Sequence, residues 1–160
     1  MAKLTRQLLF ENPIDQYIKW QQEAYEADGH KLSSMALATA GSNGIPSIRT
    51  VLLKEVTKAG FVFYSNYNSE KGRQIQENPK ASILFYWESL ERQVRVSGAA
   101  EKLTASESDE YFQSRPRGAQ VGAIASPQSD RIENRAELEV RYRVIAEKYE
   151  DVSVKRPKNW

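Results

Sequence analysis

The sequence predicts an α+β fold: a small antiparallel β-barrel with helices packed outside it. Short apolar or alternating segments separated by Gly/Asn turns predict hairpin-linked strands. Capped segments with apolar residues at helical spacing predict helices between and after those strands. A length of 160 residues, 40% hydrophobic and 28% charged, suits one domain with a sizeable core. The expectation is therefore a single domain over residues 1–160: a first helix at 12–28, barrel strands and helices at 34–125, a last helix at 131–149 and a polar tail at 150–160.

Each element has its local reason. Asn12 and Pro13 supply an N-cap and a first helical residue, and Ile14, Tyr17, Ile18, Ala24 and Tyr25 then mark one face; Asp28, Gly29 and His30 end the helix. Met35, Leu37 and Thr39 alternate with small residues as in a strand. A turn at 41–44 leads to a second strand at 48–54, and a turn at 58–60 to a third at 61–66. Ser69 can cap a short helix that stops before Asn78 and Pro79. An aromatic strand at 81–87 and a long alternating one at 91–103 follow, the latter with Val94 and Val96 on one side and Gln93 and Arg95 on the other. Thr104 with Glu107 forms a capping box for a helix reaching Phe112, and 117–125 has room for a short helical turn. In the last helix Leu138, Tyr142, Ile145 and Tyr149 form an apolar stripe among charges.

Composition excludes several function classes. No cysteine and one histidine, His30, rule out thiol chemistry and a multi-histidine metal site within one chain. A net charge of +2 argues against a general nucleic-acid binder. No apolar run reaches the roughly 20 residues of a membrane span. Leu8, Leu9 and Phe10 are too few for a secretory signal, so the cytoplasm is the expected compartment. If the chain is an enzyme, the hard chemistry belongs to a bound cofactor.

The candidate site residues are cations and hydrogen-bonding groups suited to phosphates. Arg49 and Lys54 are five apart on a predicted strand, hence on opposite faces; they serve two different anions, or two protomers, or are simply solvated. Ser69, Glu70 and Lys71 open a helix whose free N–H groups favour a phosphate, with Ser65 and Lys71 adding a hydroxyl and a charge; an ordinary capped helix has the same spacing. Gln93 can donate to and accept from the edge of a heterocycle, or face water. Tyr111 and Arg115, four apart on one helix face, form a phenol-plus-guanidinium clamp, or a tyrosine packed on an arginine stem, with Arg117 just beyond. Gln128 and Ser129 sit in a loop before the last helix, and both can donate to an anion, or Ser129 is a plain N-cap of that helix.

Six runs in order carry a resemblance: 49–54, 63–66, Ser69 with Lys71, 90–94, 111–117 and 125–129. From about residue 35 to residue 160 the chain resembles the pyridoxamine/pyridoxine 5′-phosphate oxidases. The resemblance implies an FMN-binding split β-barrel and a homodimer with the flavin held between subunits. It implies that Arg49, Lys71, Gln128 and Ser129 hold the ribityl phosphate region of the flavin. Thr50, Val51, Leu52, Leu53, Tyr64, Ser65 and Gln93 would line the rest, with Lys54 closing the first run. Lys54, Tyr111 and Arg115 would hold the phosphate of the B6 substrate. The implied activity is oxidation of pyridoxamine or pyridoxine 5′-phosphate to pyridoxal 5′-phosphate with oxygen as acceptor; the alternative is a non-catalytic flavin or pyridoxal-phosphate binder. No residue stands out as an indispensable acid or base. Three departures from the family pattern are Glu70 where many members have a basic residue, Ala119 where a serine is usual, and the family's segment beyond a tryptophan like Trp160. By that last departure the chain resembles the N-terminal three quarters of such an enzyme, or a shortened relative.

Overall fold

The computed structural model describes residues 4–28 and 33–160. Five helices and six strands follow in the order α1 (Pro13–Asp28), β1 (Ser34–Ala40), β2 (Pro46–Leu52), β3 (Glu55–Thr57), β4 (Gly60–Val62), α2 (Glu70–Glu77), β5 (Lys80–Trp87), β6 (Arg92–Ala99), α3 (Ala105–Ser114), α4 (Arg117–Ala125) and α5 (Arg135–Lys148). The strands form a four-stranded sheet in the order β2-β1-β5-β6 and a separate β3-β4 hairpin. The chain divides into two compact units that alternate along the sequence. The first holds residues up to 38 with 47–64 and 81–98; the second holds 39–46, 65–80 and 99–160.

The first unit is organised around Tyr17. Its ring lies 4.8 Å from Phe61, 4.8 Å from Phe85 and 5.7 Å from Trp87, centroid to centroid. Met35, Leu37, Leu53 and Ile83 complete the buried cluster, with Val51, Val94 and Val96 packed against it. Alternation along the strands thus sends one sheet face onto α1. The other face carries Ala36, Ala38, Ile48, Ser82, Leu84, Arg95 and Ser97 around an open concavity. Helix α1 starts where expected, with the Asn12 carboxamide oxygen accepting from Ile14 N–H at 2.8 Å. Its expected end at Gly29 and His30 lies outside the described residues. Ile18, expected on the buried face, is 45% exposed, and Gln16 is buried instead.

In the second unit α2 has Ser69 as N-cap, its hydroxyl accepting from Gly72 N–H. Helix α3 carries the predicted capping box between Thr104 and Glu107. The short turn expected at 117–125 is a full helix, α4, and α5 packs against it. Helix α5 begins at Arg135, four residues later than expected, because Asn134 is its cap. No α5 residue is buried, and Tyr142 of the expected apolar stripe is 41% exposed. The tail, read as merely polar, is packed in: Val154 and Trp160 are 1% and 7% exposed.

Three strand expectations need correction. The second strand, expected over 48–54, is β2 at Pro46–Leu52. The third strand, expected over 61–66, is β4, which ends at Val62 and pairs with a short β3 that the sequence did not reveal. Beyond it the backbone leaves the ladder, and Asn66 N–H donates to a side chain. The long strand stops at Ala99, since Ala100 N–H donates instead to Pro79 O at 3.0 Å. Among the described residues no helix is long and apolar enough to cross a membrane, and no group of side chains is suited to hold a metal ion.

Candidate functional site

The residues singled out from the sequence fall in both units. Arg49, Thr50, Val51, Leu52, Leu53, Lys54, Tyr64 and Gln93 belong to the first; Ser65, Lys71, Tyr111, Arg115, Gln128 and Ser129 belong to the second.

In the first unit β2 alternates, so Arg49 and Val51 share the side turned to the core, while Thr50 and Leu52 face outward. Arg49 Nη1 donates to Leu37 O at 3.3 Å and Ser47 O at 3.2 Å, which fixes the guanidinium along the strand. Arg49 and Lys54, expected on opposite faces of one strand, are instead separated by the end of that strand. The strand ends at Leu52, Leu53 is buried, and Lys54 is exposed beyond it, its N–H donating to Val62 O at 2.8 Å. Strand alternation therefore does not reach Lys54. Gln93 is exposed in β6, in phase with Arg95 and out of phase with Val94, as alternation predicted. Tyr64 is half-buried.

The second unit gathers a compact donor set at the start of α2. Lys71 is only 7% exposed. Its Nζ donates to Ser69 Oγ at 3.2 Å and to Gln128 Oε1 at 3.3 Å. The same oxygen accepts from Ser65 Oγ at 3.3 Å and Asn66 N–H at 3.4 Å. One oxygen thus collects a cation, a hydroxyl and an amide, the donor chemistry that suits an anionic phosphate oxygen.

The local sequence builds this arrangement. Ser69 Oγ, fully buried, donates to Asn66 O at 2.6 Å and so folds the turn back onto the helix. Gly72 is required there: a Cβ would sit 2.2 Å from Tyr67 O. Gln128 is presented by a tight turn in which Asp130 N–H donates to Pro127 O at 3.0 Å. Ser129, at the third position of that turn, has φ 72°, as a type II turn demands and as side-chain-bearing residues rarely adopt. The cap of α5 is Asn134, so Ser129 is not a helix cap.

Tyr111 and Arg115 meet, but not through helical spacing. Helix α3 ends at Ser114, and Arg115 is an extended C-cap at φ −73° and ψ 146°. Their common partner is Trp160. The Tyr111 ring stacks on the indole at 6.0 Å with 2° between planes, and Arg115 Cζ lies 4.7 Å from the indole centroid. Arg115 Nη1 is buried with no hydrogen-bond partner among the described residues. Burial pushes the Arg115 guanidinium below its usual value, opposed by Tyr111, though an arginine still stays charged. Arg117, just beyond the pair, donates to Val152 O at 3.1 Å and so pins the tail. Asn66, Asn159 and Trp160 escaped the sequence reading; an aromatic residue in an otherwise polar tail was the available signal.

Comparison with known proteins decides the family. The pattern of the family described as pyridoxamine 5′-phosphate oxidase matches residues 21–149. The chain belongs to the pyridoxamine 5′-phosphate oxidase family. Membership makes it an oxidoreductase of that family, with the α+β fold of the FMN-binding split-barrel proteins. A pyridoxine/pyridoxamine 5′-phosphate oxidase of Salinibacter ruber is 46% identical over 160 residues, covering 99% of this chain and 74% of that one. The protein of that name from Paraburkholderia phytofirmans is 51% identical over 149 residues, covering 93% and 70%. Among solved structures, PhzG from Burkholderia lata, in complex with tetrahydrophenazine-1-carboxylic acid, superposes with a TM-score of 0.90 at 28% identity, covering 99% of this chain and 79% of that one. A pyridoxamine 5′-phosphate oxidase-related, FMN binding protein from Nostoc punctiforme has a TM-score of 0.61 at 20% identity, covering 77% and 69%, a likeness of fold.

Proposed function

We propose that this chain oxidises pyridoxamine 5′-phosphate or pyridoxine 5′-phosphate to pyridoxal 5′-phosphate, with FMN as cofactor and oxygen as final acceptor. The observation that carries the reading is a pair of distinct phosphate-suited donor sets in the second unit: Lys71 with Ser65 and Asn66 N–H, and Arg115 with Tyr111. An oxidation that joins a phosphorylated cofactor to a phosphorylated substrate needs two such anchors.

In this reading Lys71, Ser65, Gln128 and Ser129 hold the flavin phosphate, with Arg49 contributing from β2. Thr50, Val51, Leu52, Leu53, Tyr64 and Gln93 line the remainder of the flavin. Lys54, Tyr111 and Arg115 hold the substrate phosphate, so that binding energy from this remote group orients the reacting carbon. FMN, when bound, supplies the two-electron acceptor. Lys71 and Arg115 provide fixed charge, which does not change as the substrate is oxidised. The protein contributes position and electrostatics, in keeping with the absence of a conspicuous acid or base.

The reading includes a homodimer with a shared flavin. What supports it is the sheet face opposite α1, where Ile48 is 71% exposed, Leu52 47% and Tyr86 64%. Light scattering should give twice the chain mass, and a flavin-loaded monomer would remove this part. The reading also includes the cytoplasm, a compartment in keeping with a cysteine-free chain. A second reading, a non-catalytic flavin or pyridoxal-phosphate binder, is favoured by Ala119, which has no hydroxyl to offer a phosphate. Oxygen uptake on adding pyridoxamine 5′-phosphate to the yellow protein separates the two: steady consumption supports the oxidase, and binding without consumption supports the carrier.

A further inference from the structure

We infer that Trp160 is a positioning residue for the anion clamp, its indole the surface on which the Arg115 guanidinium and the Tyr111 phenol are set. The inference rests on the proposed role of Arg115 and Tyr111 as ligands of the substrate phosphate.

Arg115 needs positioning because it has left the helix. Its backbone is extended at φ −73° and ψ 146°, so the periodicity of α3 no longer directs its side chain. A long side chain that must be ordered when its ligand arrives loses rotamer freedom at that moment and weakens binding. Stacking on an aromatic face orders it beforehand. Arg115 Cζ lies 4.7 Å from the centre of the Trp160 indole, within cation–π range, and indole is the strongest such partner among side chains. Stacking uses the flat face of the guanidinium and leaves its in-plane N–H groups to point elsewhere. One of them, Nη1, is buried without a partner among the described residues. Tyr111 is set by the same surface, its ring parallel to the indole within 2°.

Trp160 is itself held on several sides. Phe112 meets it edge-on at 5.0 Å. Arg156 Nη1 donates to the main-chain oxygen of Trp160, and Arg156 Nε donates to Asp109 of α3 at 2.6 Å. The neighbouring Asn159 accepts from Tyr67 N–H at 2.6 Å and donates to Asn66 Oδ1 at 3.1 Å. Two adjacent residues therefore tie the clamp to the turn that carries Asn66. A tryptophan that merely filled space would need neither an arginine on its face nor a parallel phenol beside it.

The test uses the whole chain and four proteins: wild type, Trp160→Phe, Trp160→Leu and Arg115→Ala. Each is titrated calorimetrically with pyridoxal 5′-phosphate and with unphosphorylated pyridoxal, and each is melted. The expected result is a graded, phosphate-selective loss: a few-fold for Trp160→Phe and on the order of tenfold for Trp160→Leu, with pyridoxal unaffected. Trp160→Phe keeps an aromatic packed against Phe112, so it carries the test if the leucine variant does not fold. Equal losses for both ligands, or Trp160→Phe binding like wild type while Arg115→Ala binds weakly, would overturn the role given to Trp160. Unchanged binding by Arg115→Ala would instead remove the clamp reading and the inference with it.

Discussion

Replacing Lys71 with methionine separates a ligand-holding lysine from a structural one. Lys71 is 7% exposed, and its Nζ reaches Gln128 Oε1 at 3.3 Å and Ser69 Oγ at 3.2 Å. Methionine keeps most of the stem packing and removes the charge. In the flavin complex the variant loses a charge-assisted hydrogen bond to phosphate, about 1.5–3 kcal/mol, or roughly ten- to 150-fold in the dissociation constant. In the flavin-free protein the change also relieves the cost of holding an ammonium out of water, so stability should be unchanged or slightly higher. The signature is opposite signs: weaker flavin binding without a weaker apo-protein. Quenching of flavin fluorescence gives the affinity, and melts with and without FMN give the linkage, since ligand stabilisation grows with the ratio of free ligand to dissociation constant. A variant that binds FMN like wild type but whose apo-form melts well below it would make Lys71 a structural lysine and remove it from the flavin site.

Three further outcomes are expected. Arg49→Ala should lower flavin retention first, whereas Lys54→Ala should weaken pyridoxal 5′-phosphate binding and leave flavin content nearly intact; absorbance ratios and calorimetry on both variants check the division. Gly72→Ala drives a Cβ to 2.2 Å from Tyr67 O and 2.8 Å from Asn66 O, both backbone atoms. It should destabilise by about 1–3 kcal/mol or more and lower flavin retention with it, read by denaturant unfolding and flavin content. Hydrogen bonds from the Thr104 side chain and backbone hold the Glu107 carboxyl below its usual range. Its contribution is therefore present above the ordinary glutamate pKa and lost as pH falls through the lowered folded value. Unfolding curves across acidic pH should show Glu107→Gln less stable than wild type near neutrality and equal to it once both carboxyl forms are protonated.

The elements legible in the sequence are those set by local chemistry. Caps at Asn12, Ser69 and Thr104 stand where the residue types demanded, because a side-chain acceptor satisfies N–H groups only a few residues away. Alternation in β6 sorted Val94 and Val96 from Gln93 and Arg95 for a similarly local reason. What escaped depends on distant partners. The partner of Asn66 N–H is Gln128, 62 residues away. Trp160 gains its meaning from Tyr111 and Arg115, and no periodicity links them. Arg117 stands just beyond the expected clamp, and its use is fixed by a carbonyl at Val152. The order of the six motifs made the family visible, while the way Ser65, Lys71 and Gln128 meet at one oxygen needed the fold.

The central claim is that this chain moves electrons from a B6 phosphate to bound flavin, and anaerobic mixing tests it most directly. Protein carrying oxidised FMN is mixed with pyridoxamine 5′-phosphate in the absence of oxygen, and the visible absorbance is followed. The expected result is loss of the oxidised flavin band with stoichiometric pyridoxal 5′-phosphate, and return of the band when oxygen is admitted. Flavin that stays oxidised while pyridoxamine 5′-phosphate demonstrably binds would contradict it.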